Sequence, residues 1–402
     1  MRVLSTVTGS VGHAHEILPM VRALVAAGHH VVVAPSPHLA PVFAGTGAEV
    51  VDAMPDFLAS TEHLRTLRTT GFPGYEPDGG PADPRIELIA FAAGPQVTTA
   101  YEALLPIAEE LRPDLVYREG SELAGCLIAE KLGIPHITGP TGVGNVLDPA
   151  GLNLLLNERR KDVGLPEKDD AWSMYPNGWL DSLPVGFSFA QYDMPEPVRY
   201  LPPMPMTDDP LPAELAELAA DRPLVLASMG TALPTVAGMR LSDAGLAQAM
   251  ADPVDTLRAL VAGLSTVDCH AVVTTGGIAL DGVDAGPNVH IVDRVPQPLL
   301  LQSCDLFVTH CGFNSLRESL RTGVPMMMMP QFGDQPHNAD RAAELGLGAR
   351  VPVVSAEAVA ATCRQLLADD KVRTSVRTVQ RLLLGLPPIQ AAVRHLESLA
   401  TA

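Results

Sequence analysis

The sequence predicts an α/β protein made of two Rossmann-like β/α/β domains that face each other across a cleft. Three observations predict this fold. The length of 402 residues suits two domains. Short apolar runs alternate with segments of helical periodicity in both halves of the chain. A proline-dense segment separates the two halves, as expected of a stiff linker.

The first half opens with a βαβ unit. Residues 1–8 form an apolar run, a segment with apolar residues at helical spacing continues to Gly28, and residues 30–34 form a second apolar run. Strands that are apolar throughout indicate a parallel sheet covered on both faces. The pattern repeats in three further segments, at residues 114–117, 124–132 and 134–138.

After the prolines, the second half again alternates predicted strands with predicted helices. We assign residues 1–194 to an N-terminal domain, 195–216 to the linker and 217–402 to a C-terminal domain. The last helix, near residues 388–399, is compatible with packing on either domain. The predicted strands of the second half are residues 224–228, 271–274, 290–292, 306–309 and 325–329, with a helix at residues 255–264.

Composition excludes several classes of function. A net charge of −19 argues against a nucleic-acid partner and against docking on an anionic membrane. The five cysteines form no CxxC pair, which favours reduced thiols over a disulfide framework or a zinc site. The chain has neither the apolar core of a signal peptide nor an apolar run of about 18 residues, so we expect a soluble, cytoplasmic protein.

The densest chemical signal lies between residues 294 and 335. A strand ends at Thr309, a turn contains His310 and Gly312, and Asn314 and Ser315 open a helix. A helix N-terminus offers N–H groups and a partial positive charge, which suit a diphosphate. Glu318 follows about one turn later and is placed to accept hydrogen bonds from ribose hydroxyls. Asp334 and Gln335 come just after the next strand, where they are placed to bind sugar hydroxyls.

This segment resembles the donor-binding motif of the UDP-glycosyltransferase superfamily, the family 1 glycosyltransferases of the GT-B fold. It most resembles the bacterial enzymes that glycosylate macrolides, enediynes and other natural products. The resemblance extends over essentially the whole chain. It implies a donor site formed by Thr231, Arg294, Val295, Gln297, His310, Gly312, Asn314, Ser315, Glu318, Asp334 and Gln335. One departure concerns Arg294, which stands where the family often has a tryptophan stacked on the base.

A second candidate site follows the first predicted strand. On the residues alone, a histidine near a strand end is more often solvated or packed in a core. The resemblance instead implies that His13, with His15 as the less favoured alternative, is the general base. It also implies that Glu119 orients this base, at a position where the family usually has aspartate.

Together these residues imply an inverting transfer from a nucleotide-diphosphate sugar, with a dTDP-deoxysugar favoured, to a hydroxyl of a small hydrophobic aglycone. The sequence has no GxGxxG turn, no DxD triplet and no histidine-rich cluster, so we expect neither a dinucleotide cofactor nor a bound metal. Two alternatives remain, a sugar-nucleotide 2-epimerase and a non-catalytic nucleotide-binding partner of a transferase. The oligomeric state, a homodimer included, is left open.

Two groups of side chains have competing interpretations. Trp172, Tyr175 and Trp179 either line an acceptor pocket or pack a small subdomain, with neither favoured. Residues 326–329 are four consecutive methionines, for which a buried parallel strand is a better explanation than a cofactor-binding surface. Residues 69–81 are rich in glycine and proline and predict a long loop that is either functional or disordered.

Overall fold

The computed structural model describes residues 1–55, 84–204, 209–242 and 251–401. The predicted loop at residues 69–81 and part of the predicted linker, residues 205–208, lie outside the described residues. Internal contacts divide the chain into two units. The first contains Met1–Leu183, Ser188–Pro203 and Leu386–Ala402, and the second contains Pro184–Phe187 and Met204–Gly385.

The first unit contains a five-stranded parallel sheet with the strand order β3-β2-β1-β4-β5. Its strands are β1 (Arg2–Val7), β2 (His30–Pro35), β3 (Glu49–Val50), β4 (Leu115–Arg118) and β5 (His136–Thr138). Its first helices are α1 (Val11–Ala26), α2 (Pro84–Ala93), α3 (Gln96–Leu111), α4 (Ala124–Leu132) and α5 (Pro149–Asp162). Short 3-10 helices span Pro37–Phe43 and Val143–Val146, and a two-stranded ladder joins β6 (Leu180–Asp181) to β7 (Val198–Arg199).

The central strand of this sheet, β1, pairs with β2 on one side and with β4 on the other. Thr6 of β1 lies opposite both Ala34 of β2 and Arg118 of β4. The apolar side chains of these strands are buried from both sides, as the absence of alternation in the sequence predicts.

The second unit contains a six-stranded parallel sheet with the order β10-β9-β8-β11-β12-β13. Its strands are β8 (Leu224–Ser228), β9 (His270–Thr274), β10 (Val289–Val292), β11 (Leu306–Thr309), β12 (Met326–Met328) and β13 (Gly348–Arg350). Its helices are α6 (Ala213–Ala216), α7 (Ala232–Ser242), α8 (Pro253–Leu264), α9 (Gln297–Leu300), the 3-10 turn Leu301–Ser303, α10 (Phe313–Thr322), α11 (Gln335–Glu344), α12 (Ala356–Leu367) and α13 (Asp370–Leu384).

Both sheets have the strand order of a Rossmann fold. In each, the chain builds outward from a central strand to one edge and then returns to the other side of that strand. The order reverses between β1 and β4 in the first unit and between β8 and β11 in the second. In open α/β sheets, ligands bind beyond the carboxyl ends of the strands at such a reversal. The predicted α/β fold with two Rossmann-like domains is therefore confirmed.

The C-terminal helix α14 (Ile389–Leu399) packs in the first unit, whereas the predicted boundaries placed it in the C-terminal domain. Its apolar face, which includes Ala392 and Leu396, joins the core that covers β1 and α1. An isolated β-bridge joins Leu201 to Pro388, the residue just before this helix. Tertiary packing of an amphipathic helix decides this placement, and its sequence alone left both domains open.

The buried strand predicted for the methionine run is confirmed, since Met326–Met328 form β12. All five cysteines are free and buried. In the described part of the chain, no helix is long and apolar enough to span a bilayer. One boundary differs from the prediction. Helix α10 begins at Phe313 and has Gly312 as its N-cap, so Asn314 is its second residue.

Candidate functional site

The strand reversal of the first unit brings His13 and Glu119 together. His13 lies in the first turn of α1, just after β1, and its N–H donates to the carbonyl of Ser10. Glu119 directly follows β4. Because β1 and β4 are neighbours, the two side chains meet, with His13 Nδ1 at 3.7 Å from Glu119 Oε2. The structure thus brings His13 and Glu119 together, and the roles of the two residues stay a prediction.

Glu119 is completely buried, and polar groups surround its carboxylate. Ser121 donates to Oε2 through its N–H at 3.0 Å and its hydroxyl at 2.6 Å, and the Thr141 hydroxyl donates to Oε1 at 2.7 Å. Burial alone raises the pKa of Glu119, but the His13 imidazole and these hydrogen bonds outweigh burial and lower the pKa to about 2. The carboxylate is therefore ionised at neutral pH and is able to stabilise a protonated imidazole.

Gly9 leaves room for the His13 ring. The backbone of Gly9 has φ +85°, and a Cβ atom placed there would lie 2.4 Å from His13 Nδ1. The carbonyl of Gly9 accepts a hydrogen bond from His38 Nε2 at 2.8 Å, which fixes the turn. His15, the less favoured alternative, is exposed, and the contact of Glu119 is with His13. The geometry thus favours His13 over His15 as the oriented base.

A small pocket lies beside this pair. Its wall includes Phe91, whose ring meets the His13 ring edge-on with centroids 6.3 Å apart, and Ser121, which donates to Glu119. Most of the lining described in the structure is apolar. The lining residues are Thr8, Met54, Pro55, Phe91, Ala92, Gln96, Val97, Ala100, Ser121, Glu122 and Leu123. These residues form a mostly apolar wall beside the His13–Glu119 pair.

The aromatic residues Trp172, Tyr175 and Trp179 pack with the core of the first unit. Tyr175 and Trp179 are buried, and Trp172 is half-buried against the same cluster. The indole N–H of Trp179 donates to the carbonyl of Pro195 at 2.7 Å. None of the three lines the pocket beside His13 as far as the structure describes it. Packing is therefore the better of the two interpretations.

In the second unit, the strand reversal holds the His310 imidazole between two glycines. A Cβ atom on Gly312 would lie 2.4 Å from His310 Nε2, and one on Gly230 would lie 2.9 Å from His310 Cε1. Burial lowers the pKa of His310 to about 4, so its ring is neutral near pH 7. A neutral imidazole carries one N–H and is able to donate it to a phosphate oxygen.

The backbone of the turn before α10 is strained, and hydrogen bonds hold it in place. Cys311 is one of two described non-glycine residues with positive φ, at +65°. Such a backbone costs about 1–3 kcal/mol and persists only where its surroundings hold it. The Asn338 carboxamide donates to the carbonyl of Cys311 at 3.1 Å, and the N–H of Cys311 donates to the Thr309 hydroxyl at 3.1 Å. Gly312 then begins α10 without a side chain that caps the helix.

Three of the predicted donor residues contact one another. The Gln297 carboxamide donates to Glu318 Oε2 at 2.7 Å and lies 3.3 Å from the Ser315 hydroxyl. Burial raises the pKa of Glu318, although the bond from Gln297 acts in the opposite direction. Burial therefore disfavours the charged form of this carboxyl group, and the hydrogen bond from Gln297 favours it.

The remaining predicted donor residues are less closely associated. Arg294 is 83% exposed, and Val295 packs against an apolar cluster. Asn314 Oδ1 accepts from Arg317 Nη2 at 2.5 Å, and Asp334 accepts from Asn338 at 2.6 Å. Gln335 is buried, and its side-chain oxygen accepts from the N–H groups of residues 331 and 332. Thr231 is exposed at the turn after β8, the strand next to β11.

Sequence reasoning missed Asn338 and Arg118. Asn338 follows the predicted Asp334 by one helical turn on α11, and that spacing was the available signal. Arg118 is a charged residue in the last position of an apolar strand, and it is fully buried. Among the residues that the structure describes, no group of three or more His, Cys, Asp or Glu side chains could hold a metal ion.

The chain is similar to several known glycosyltransferases. Residues 258–399 match the model of the erythromycin biosynthesis protein CIII-like C-terminal domain. The chain is 28% identical to an L-demethylnoviosyl transferase of Streptomyces niveus, over 88% of this chain and 85% of that protein. It is 26% identical to the 10-deoxymethynolide desosaminyltransferase of Streptomyces venezuelae, over 100% of this chain and 97% of that protein. Among solved structures, it matches glycosyltransferase VinC in complex with dTDP, with a TM-score of 0.72, 23% identity and full coverage of both chains.

Proposed function

We propose that the chain is a glycosyltransferase of the GT-B fold and the bacterial natural-product type, and that it transfers a deoxysugar from a dTDP-linked donor to a hydroxyl of a small hydrophobic aglycone. The transfer proceeds with inversion at the anomeric carbon. The observation that carries the proposal is the buried, ionised Glu119 beside His13 at the strand reversal of the first unit.

His13 is the general base in this proposal. Its Nδ1 faces Glu119, which leaves Nε2 to accept the proton of the acceptor hydroxyl. As the hydroxyl oxygen bonds to the anomeric carbon, the bond from that carbon to the donor's phosphate oxygen breaks. The electron pair of the broken bond stays on the diphosphate. The ionised Glu119 stabilises the imidazolium that forms and fixes its tautomer.

The second unit holds the leaving group. The uncapped start of α10 and the neutral His310 supply N–H donors toward the diphosphate. We assign Gly312, Asn314, Ser315 and Thr231 to the same diphosphate site. Gln297 and Glu318, already joined by a hydrogen bond, receive the ribose, and Asp334 and Gln335 receive the sugar. The proposal uses these donors, and no metal ion, to stabilise the charge of the leaving group.

The choice of donor and acceptor rests on two kinds of support. The similar proteins bear the names of deoxysugar transferases, and VinC was solved with dTDP bound. The wall beside His13 is mostly apolar, and we take it as the side from which the hydrophobic part of an aglycone approaches the base. Five buried free thiols suit the reducing cytoplasm, where we place the enzyme.

Calorimetric titration tests the donor site without knowledge of the acceptor. The purified protein is titrated with dTDP, UDP and NAD in buffer containing EDTA, beside an Asn314→Ala variant and a Gln365→Ala control at an exposed position of α12. We expect dTDP to bind more tightly than UDP, with the affinity reduced in Asn314→Ala and unchanged in Gln365→Ala. Preference for UDP would change the proposed donor. Binding of NAD with neither diphosphate would refute the transferase mechanism.

An assay for transfer separates the proposal from its two alternatives. With dTDP-6-deoxyhexose donors and a panel of phenolic and polyketide acceptors, we expect a glycosylated product whose formation requires His13. Conversion of the nucleotide sugar to its 2-epimer in the absence of acceptor would instead identify an epimerase. Tight binding of dTDP with neither reaction would identify a non-catalytic nucleotide-binding protein.

A further inference from the structure

The loop that carries Glu119 wraps around the side chain of Arg118. The guanidinium is fully buried, and its partners are chiefly carbonyl oxygens. Nη1 donates to the carbonyls of Glu119, Gly120 and Glu122 at 3.3, 3.1 and 3.1 Å. Three carbonyl groups of one tight turn therefore point at a single nitrogen, and that arrangement determines the path of the turn.

A second set of contacts fixes the guanidinium itself. Nη2 donates to the carbonyl of Met174 at 2.5 Å, Nε faces His136 Nδ1 at 3.5 Å, and the guanidinium lies 5.5 Å from the centroid of the Tyr175 ring. Burial and the Arg118 charge lower the pKa of His136 well below its usual value, so this ring is neutral and is able to accept from Nε. Arg118 is thus anchored to β5 and to the segment around residue 174, both outside the turn that it holds.

The turn that Arg118 holds also aims the Glu119 carboxylate. Ser121, inside the turn, donates twice to Glu119, so the direction of the carboxylate depends on the shape of the turn. A planar guanidinium with five N–H donors in fixed directions is able to satisfy several carbonyls at once, whereas a lysine ammonium cannot reproduce that fork. We propose that Arg118 is a positioning residue that holds the 119–122 turn so that Glu119 faces His13.

This inference rests on the proposed function in taking His13 and Glu119 as the reacting pair, but its test does not need the substrate. A carboxylate next to an imidazole favours the protonated ring, typically by about 1–3 pH units. If Arg118→Lys lets Glu119 turn away, His13 will therefore titrate at lower pH. The lysine keeps the positive charge, so the shift reports geometry. Simple loss of a buried positive charge would move the titration in the opposite direction.

The experiment is an NMR titration of the full chain with isotope-labelled histidine. The chain has 12 histidines, and the His13 signal is assigned from its absence in His13→Gln. We expect the titration midpoint of His13 to fall by at least about one pH unit in Glu119→Gln, and by a similar amount in Arg118→Lys. The matched control is Arg160→Lys, since Arg160 is equally buried but contacts Glu130, Asn153, Asn157 and Ser173 instead of the 119–122 turn.

The outcomes separate the two proposals. An unchanged His13 midpoint in folded Arg118→Lys, or an equal shift in Arg160→Lys, would overturn the positioning role. If Arg118→Lys does not fold, Tyr175→Leu, which removes the ring beside the guanidinium, is expected to shift the midpoint in the same direction by less. No shift in that variant would count against the role. Absence of sugar transfer by the wild-type protein would refute the proposed function and leave the NMR result standing.

Discussion

The two strand reversals share an architecture but differ in the charge of what they hold. After β1 and β4, the first unit places an ionised carboxylate, an imidazole and a buried guanidinium. After β8 and β11, the second unit places a neutral imidazole and a carboxyl whose pKa is raised by burial. A site that must move a proton needs a charge to stabilise the protonated base. A site that must receive a diphosphate is served by neutral donors and a helix N-terminus, and fixed negative charge would weaken it.

Both reversals also place a glycine against the imidazole. Gly9 makes room for His13 in the first unit, and Gly312 makes room for His310 in the second. In the proposed function, the same arrangement serves two different tasks, and the surrounding charges set the task. This comparison implies that substitutions in the first unit change turnover, whereas substitutions in the second change nucleotide affinity.

The largest expected effect is that of His13→Ala. Loss of a general base typically lowers the rate by about 10²–10⁴-fold, so we expect transfer to fall by that factor while the Kd for dTDP stays unchanged. His15→Ala, two residues away and exposed, is the matched control and should keep near wild-type activity. Comparable losses in the two variants would mean that His13 is not the general base.

Acid should remove a stabilising contribution that is specific to Glu119. Its pKa in the folded protein, about 2, lies below the ordinary 4.5, so the folded state favours the ionised form. The contribution is fully present above about pH 4.5, is lost as the pH falls toward 2, and amounts to about 3 kcal/mol. Urea denaturation of wild type and Glu119→Gln between pH 7 and 3 measures it. The difference in unfolding free energy should shrink on acidification, and a constant difference would contradict the ionised, buried carboxylate.

The paired substitutions Gly9→Ala and Gly312→Ala test whether the first unit affects turnover and the second unit affects nucleotide affinity. In each variant the new methyl group would lie 2.4 Å from the neighbouring imidazole and must displace it. A displacement of about 1 Å can cost about 10²-fold when geometry matters. We expect Gly9→Ala to lower kcat by about 10-fold or more without changing the Kd for dTDP. Gly312→Ala should weaken dTDP binding by a similar factor, and the opposite pattern would break the comparison.

The smallest expected effect is that of Arg294→Ala. A side chain that is 83% exposed makes few fixed contacts, so its loss should change dTDP affinity by no more than about threefold. Calorimetry with dTDP and UDP measures both the affinity and the preference between the bases. A loss of tenfold or more would show that Arg294 contacts the nucleotide in the complex.

Much of this architecture could be predicted from the sequence because parallel strands are continuous apolar runs. The runs at residues 30–34, 224–228 and 306–309 correspond to β2, β8 and β11. The short edge strands β3 and β13 could not be predicted, because their sequences, Glu-Val and Gly-Ala-Arg, contain no continuous apolar run. The placement of α14 depends on which core its apolar face meets, and an amphipathic pattern does not specify its partner.

The residues of the candidate sites also differ in whether the sequence alone could indicate them. His13, His310 and Glu318 could be proposed as site residues from the family resemblance, because each stands at a position that matches a motif of the family. Arg118 was not, because its anchors at His136 and Met174 are 18 and 56 residues away and meet it only in the folded unit. Asn338 likewise acts through the carbonyl of Cys311, a contact that depends on how α11 packs.

The central claim is that His13 and Glu119 act as one unit in proton transfer. A double-mutant cycle tests it most directly, with transfer rates measured at saturating donor for wild type, His13→Ala, Glu119→Gln and the double variant. We predict that Glu119→Gln lowers the rate strongly in the wild type and changes it by less than about twofold in the His13→Ala background, since groups that act as a unit are non-additive. Equal loss in both backgrounds would contradict the account, because Glu119 would then act without the imidazole that it faces.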